Sequence, residues 1–241
     1  LSEDVVSLNP NVDRRSVVFV HDLDADGVCT HTEIVRARIR SRAKLGFAES
    51  QTFLDGGPAP RGSTEIATTL SALRDVGTVR IQLADSRGVV RFRRSEVQVV
   101  ATDGTPQFTA RESGGYACED YNEQLSLLCN VEGAKLLQRP APEGLVQPIY
   151  RAHAAPTKPA LDNFARLAHA IARVHNKPKT WRWDRETSLA SYLANLPSEG
   201  EDGRLAKMIH RQALMVGGRA EYVDEPSLHH GIGAAAYARF S

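Results

Sequence analysis

The sequence predicts an α+β fold, with antiparallel strands in the first part and a mainly helical second half, and three observations carry that prediction. Val17-Val18-Phe19-Val20 is a β-branched and aromatic run of the kind that packs on a pleated surface. Within residues 28–40, Val35 to Arg40 alternate apolar and basic side chains, the period of a strand with one wet face. From Lys158 onward apolar residues return at helical spacing, and strand signals cease. Strands in one block and helices in the next are the α+β pattern.

The elements follow in order. Ser16 to Leu23 forms the first strand, and Asp24-Ala25-Asp26-Gly27 gives a turn whose glycine can take positive φ. The second strand runs from Val28 to Arg40, with Val35, Ala37 and Ile39 on one face and Arg36, Arg38 and Arg40 on the other. Together they make a hairpin. Phe47 to Leu54 and Glu65 to Leu73 read as helices on either side of a Gly/Pro-rich loop, with Ser63 the better N-cap of the second. Short antiparallel strands are expected between Val79 and Thr109, with Asp103-Gly104 as a turn. Asp120 to Gln138 carries Leu125, Leu128, Val131 and Leu136 at near-helical spacing, with Pro140 just beyond. A short strand at Gln147–Ala152 precedes helices at Lys158–Val174, Arg185–Asn195 and Arg204–Val216. No repeat or domain boundary shows, so residues 1–241 are expected to be a single domain.

Composition narrows the function classes. With 241 residues and 41% hydrophobic content, the chain can bury a sizeable core. It has no apolar run of membrane-spanning length and no charged-then-apolar leader, so a soluble, cytoplasmic protein with no membrane partner is expected. Its three cysteines are widely spaced without a Cys-x-x-Cys pair, which argues against a disulfide framework or a zinc site. The formal net charge of +1 leaves a nucleic-acid partner open, so the position of the charges has to decide. The chain starts at Leu1 and stops inside a motif, which predicts a piece incomplete at both ends.

Several constellations carry chemistry. Asp22, Asp24, Asp26, Gly27 and Glu33 fit the calcium-loop template at every fixed position. That loop requires flanking helices and both flanks here read as strands, so the hairpin turn is preferred over a calcium-binding module. Arg36, Arg38 and Arg40, followed by Arg42 and Lys44, are the densest basic stretch. Such a face can track a phosphate backbone, or it can simply be the wet side of a sheet. Trp181 and Trp183 sit beside helical segments, where core anchoring is commoner than base stacking. The eight histidines include no His-x-x-x-His pair, so zinc ligation has little support. Glu201-Asp202 and Asp224-Glu225 are the acidic pairs that a metal site would have to draw on, and both fall in expected loops.

Five stretches in collinear order resemble the ribonuclease II catalytic domain, the RNB family. They are Leu1-Ser2 to Ser7-Leu8-Asn9-Pro10 with Arg14; Ser41-Arg42-Ala43-Lys44-Leu45-Gly46-Phe47; Glu123-Gln124-Leu125-Ser126-Leu127-Leu128-Cys129-Asn130; Tyr150-Arg151-Ala152-His153; and the tail with His229, Gly231, Ile232, Tyr237, Phe240 and Ser241. The stretch from about Gly77 to Arg111 matches least. The resemblance implies an RNB-like α+β domain and a 3′→5′ exoribonuclease that hydrolyses single-stranded RNA to nucleoside 5′-monophosphates with Mg2+. It places the metal-binding aspartates upstream of Leu1 and a phosphate-stabilising arginine downstream of Ser241, so no catalytic residue or metal ligand is expected in this chain, which alone is expected to be inert. It implies that Phe47 lies close to the terminal nucleotides, although a core aromatic opening a helix is an equal alternative. Glu123 is implied to sense the ribose 2′-hydroxyl, against the alternative of a surface charge, and Gln124 stands where the family has a second glutamate. The tilt toward RNA makes Arg36, Arg38 and Arg40 substrate-binding candidates, with Arg239 of the tail. His229 is also a substrate-binding candidate, and His229 and His153 are expected to pack and hydrogen-bond around the cavity rather than act as acid or base. Flanking OB-type RNA-binding domains in the parent chain are a further implication. The rival is a non-catalytic RNA-binding or scaffolding relative.

Overall fold

A computed structural model describes residues 4, 7–90, 96–101, 108–113, 115–139 and 147–240. The expected turn at Asp103-Gly104, Pro140, and the motif positions Leu1, Ser2 and Ser241 lie outside the described residues. The chain divides into two compact units, Leu1–Leu83 with Arg94–Cys129 and Ala84–Arg93 with Asn130–Ser241. Helices and strands are mixed along it, as an α+β fold requires.

In the first unit, strand β1 (Asp13–Leu23) pairs antiparallel with β2 (Cys29–Arg40) from Asp13↔Arg40 to Leu23↔Cys29. The turn is closed by its own first aspartate. The Asp24 carboxylate accepts from the backbone N–H groups of Asp26 (3.0 Å) and Val28 (2.8 Å), while Gly27 takes φ +75°. A β-bulge between Asp22 and Leu23 shifts the register by one residue just before the turn. The calcium template thus sits in a hairpin, with Glu33 opposite Val20 in the ladder.

Helix α1 (Phe47–Leu54) starts where Glu49 reaches back to accept from the Gly46 N–H at 2.7 Å. Helix α2 (Thr64–Ser86) is capped by Ser63, whose hydroxyl accepts from the Ile66 N–H, and runs 13 residues beyond the expected end at Leu73. Residues 79–86, expected as strand, are therefore helical. Strands β3 (Glu96–Ala101) and β4 (Phe108–Ser113) form the antiparallel pair expected further along. Helix α3 spans Ala117–Leu137. Gly77 is the point at which α2 meets α3, because a Cβ there would lie 2.4 Å from Tyr121 Cβ and 2.7 Å from its Cα. The glycine permits a close helix approach and does not end the helix.

The second unit holds the main core. Strand β5 (Tyr150–Ala152) pairs with β6 (Glu221–Val223). Helix α4 (Lys158–Val174), capped by the Thr157 hydroxyl, buries Phe164, Ala168 and Ile171 on one stripe. Helix α5 is Leu189–Ala194, shorter than the expected Arg185–Asn195 because Ser188 is its cap. Helix α6 is Gly200–Leu214 and begins four residues before the expected Arg204. Glu201 and Asp202 consequently lie in its first turn and not in a loop, where carboxylates offset the helix dipole, and Asp202 pairs with Lys177. Trp181 and Trp183 are each only 4% exposed. Trp183 stacks on Tyr192 and meets Phe164 edge-on, and the Tyr192 hydroxyl donates to the Trp181 carbonyl at 2.8 Å. They are core anchors. Among the described residues no helix is long and apolar enough to cross a membrane.

Candidate functional site

The first unit positions four of the sequence-derived candidates. Arg36, Arg38 and Arg40 all point outward from β2, while Val35, Ala37 and Ile39 turn inward, as the alternation predicts. Arg40 is engaged: its Nε donates to Asp13 Oδ1 at 2.5 Å, and the same carboxylate lies 3.5 Å from Arg38 Nε. That hydrogen bond holds the Asp13 carboxyl below the usual carboxylate range and raises Arg40 further. The register adds a residue that the sequence pattern missed. Arg15 stands directly opposite Arg38, and Val17 opposite Arg36. Counting outward from a plain Asp24–Val28 turn pairs Arg38 with Arg14; only the bulge brings Arg15 there.

Phe47 opens α1 with its side chain 45% exposed, so the core alternative does not describe it. Its backbone is held from α3, since the Cys118 thiol donates to the Phe47 carbonyl at 3.3 Å and the Cys118 N–H to Gln51 Oε1 at 3.0 Å. Burial pushes the Cys118 thiol up, which suits a structural role. Further along α3, Glu123 is exposed and Gln124 is buried. Of the two positions in the helix motif, Glu123 is the one whose side chain faces outward.

The second unit gathers the remaining candidates around His153. Its Nε2 donates to the Gly218 carbonyl at 2.7 Å, which leaves Nδ1 to accept from the Gly231 N–H at 3.0 Å. Gly231 has no room for a side chain, as a Cβ would lie 2.9 Å from that nitrogen. His229 is bridged to His153 through the backbone, and its ring lies between those of His153 and Tyr237, centroids 5.2 and 5.1 Å away. Burial, with His153 beside it, pulls the His229 imidazole down to about 4, so it is neutral near pH 7. A neutral ring in contact with two others is held in place by its neighbours.

The tail is fixed from α3. Asn130 donates through Nδ2 to the Tyr237 hydroxyl (2.9 Å) and accepts through Oδ1 from the Phe240 N–H (2.6 Å), while Arg151 N–H donates to the Tyr237 carbonyl (2.7 Å). Ala234, Ala236 and Ala238 are buried in alternation, and Arg239 is exposed. Asn130 was visible as a motif position, but its function as the clamp for this segment was not.

Among the described residues the acidic groups do not form a magnesium site. Among the described residues no three His, Cys, Asp or Glu side chains converge so as to hold a metal ion. Asp202 is tied to Lys177, and Asp224-Glu225 follow β6 in a bend. The three cysteines are free thiols.

Comparison with known proteins agrees with the layout. The family described as "RNB domain" matches residues 1–241. Ribonuclease R of Mycoplasma pneumoniae is 26% identical over the whole of this chain, which covers 32% of that protein. The chain thus spans about a third of this relative's length. Among solved structures, Mycoplasma genitalium RNase R in complex with ribose methylated single-stranded RNA superposes with a TM-score of 0.79 at 22% identity, covering 99% of this chain and 36% of that one. Yeast Ssd1, a pseudonuclease, superposes with a TM-score of 0.62 at 12% identity over 99% of this chain and 28% of its own.

Proposed function

Because the chain belongs to the RNB domain family, we propose that it is part of a 3′→5′ exoribonuclease that hydrolyses single-stranded RNA to nucleoside 5′-monophosphates with magnesium. The family match along all of residues 1–241 is the observation that carries this reading. The RNA-bound state of the Mycoplasma genitalium enzyme supports RNA as the partner.

On this reading the chain's residues bind and orient RNA. The outward Arg36 and Arg38 meet phosphates. The exposed Phe47 ring stacks on a base, and as phenylalanine it offers no hydroxyl. Glu123 accepts from a 2′-hydroxyl, a contact that distinguishes RNA from DNA. Arg239 presents a guanidinium next to the clamped tail, and neutral His229 holds that segment by packing. On this reading the magnesium ligands are the aspartates that the family resemblance places outside these residues; among the described residues no three acids converge. Flanking OB-type domains of the parent extend the RNA path.

Incubating the purified 241-residue chain with 5′-labelled oligo-RNA and magnesium tests this. The label stays at full length if the metal ligands lie elsewhere; metal-dependent trimming to mononucleotides overturns that assignment. A non-catalytic RNA-binding relative is the second reading, favoured by the likeness to a pseudonuclease. Clustered aspartates in the parent sequence select the enzyme, and their replacement selects the binder.

A further inference from the structure

The outer face of the β1–β2 hairpin concentrates more positive charge than the sequence pattern displays. Arg15 and Arg38 are direct cross-strand partners, an arrangement that costs stability because like charges face each other at about 5 Å between Cβ atoms. Arg36 adds a third guanidinium on the same face, beside the 59% exposed Val17. Asp13 is the acid at this place, and it sits at one end on Arg40, with Arg38 behind. Among the described residues neither Arg15 nor Arg36 has a carboxylate within ion-pair distance. Arg15, Val17, Arg36 and Arg38 line a shallow cleft of about 620 Å³.

We propose that this cleft is a docking surface for the phosphodiester backbone of RNA, separate in kind from the Phe47 and Glu123 contacts because it reads neither base nor sugar. The proposal rests on the RNA-handling reading above and adds Arg15 and Val17 to it. Guanidinium groups present a planar fork that matches phosphate oxygens, and each phosphate relieves the repulsion between Arg15 and Arg38. Same-face residues two apart on a strand are separated by about 6.8 Å, so Arg36 and Arg38 can each take one phosphate of an extended strand. Val17, opposite Arg36, adds an apolar patch to the cleft without reading base or sugar. The proposed contacts are to phosphate alone, so binding is independent of sequence.

Fluorescence anisotropy of the 241-residue chain with labelled oligo-U RNA and the matching DNA, over a salt series, tests the proposal. The triple variant Arg15→Gln, Arg36→Gln, Arg38→Gln changes only outward side chains. It is expected to weaken both ligands alike by at least about tenfold at low salt. The log Kd–log salt slope should fall by about 1.4, near 0.7 for each of the two phosphates no longer neutralised. Asp13→Asn releases Arg40 and is expected to tighten binding of both, a gain that misfolding does not imitate. An unchanged slope in the triple variant overturns the proposal while leaving RNA binding by the chain intact. A chain that takes up poly-glutamate at this face in place of RNA also overturns it. Failure of the exoribonuclease reading would appear instead as replaced aspartates in the parent sequence, which this assay does not read.

Discussion

Asn130 shows what a single buried amide contributes. It is 1% exposed, and its two ends hold the Tyr237 hydroxyl and the Phe240 N–H. Removing it takes two part-buried hydrogen bonds from the tail, so Asn130→Ala is expected to lower stability by about 1–3 kcal/mol, read by chemical denaturation. A change below about 0.5 kcal/mol, the size of an ordinary surface substitution, would show that the tail is held by other means. His229 gives a pH dependence with a definite sign. Its folded value, about 4, lies below the ordinary 6.5, so the unfolded chain binds the extra proton between those limits. Stability from this residue is complete above about pH 6.5 and is lost as pH falls toward 4. NMR titration of the His229 ring should find it neutral at pH 5.5, whereas a charged ring there would contradict the buried stack. At this scale the sequence showed residue types and faces but not pairings. Arg36 and Arg38 were legible from alternation, while Arg15 was hidden by a one-residue bulge that no local pattern announces.

Two elements test the local accounts. In α2 the sequence pointed to a helix ending near Leu73, and the observed helix contains threonines and a mid-segment glycine of low helical propensity. The structure answers each. Thr68, Thr69 and Thr78 hydroxyls donate to carbonyls one turn back, and Gly77 makes room for Tyr121. Intrinsic propensity predicts that Gly77→Ala stabilises an isolated helix by about 1 kcal/mol. The 2.4 Å approach to Tyr121 predicts the reverse here, a loss of about 1–3 kcal/mol on denaturation. A stabilised variant would refute the close α2–α3 crossing. In the β1–β2 turn, Asp24 serves backbone N–H groups, so calcium up to millimolar concentration should leave the melting temperature unchanged. Asp24→Ala should cost about 1 kcal/mol. A calcium-dependent rise in melting temperature would revive the loop-template reading. Helix α4 was legible end to end because its apolar stripe is regular and its cap is a threonine. Helix α6 was misplaced because Gly200 and Gly203 disguise its first turn, where Gly203 is needed for close approach to the Ser198 backbone.

At the scale of the whole molecule, the fold class and the family were legible because they rest on distributed evidence. Block order of strands and helices supports the class, and short motifs in sequence order support the family. What the sequence withheld was depth. The motif acids and bases appear alike in one dimension, yet Glu123 faces outward while Gln124 is buried, and Glu201-Asp202 serve a helix start. A net charge of +1 likewise conceals a hairpin face with four guanidinium groups to one carboxylate. Both facts bear on the central claim, that this chain grips RNA and leaves the metal chemistry to groups outside it. The most direct test is to titrate the 241-residue chain into labelled single-stranded RNA with magnesium present, following bound fraction and label length together. The account predicts salt-sensitive binding with the RNA left whole. A chain that ignores RNA at low salt, or shortens it from the 3′ end, would contradict it.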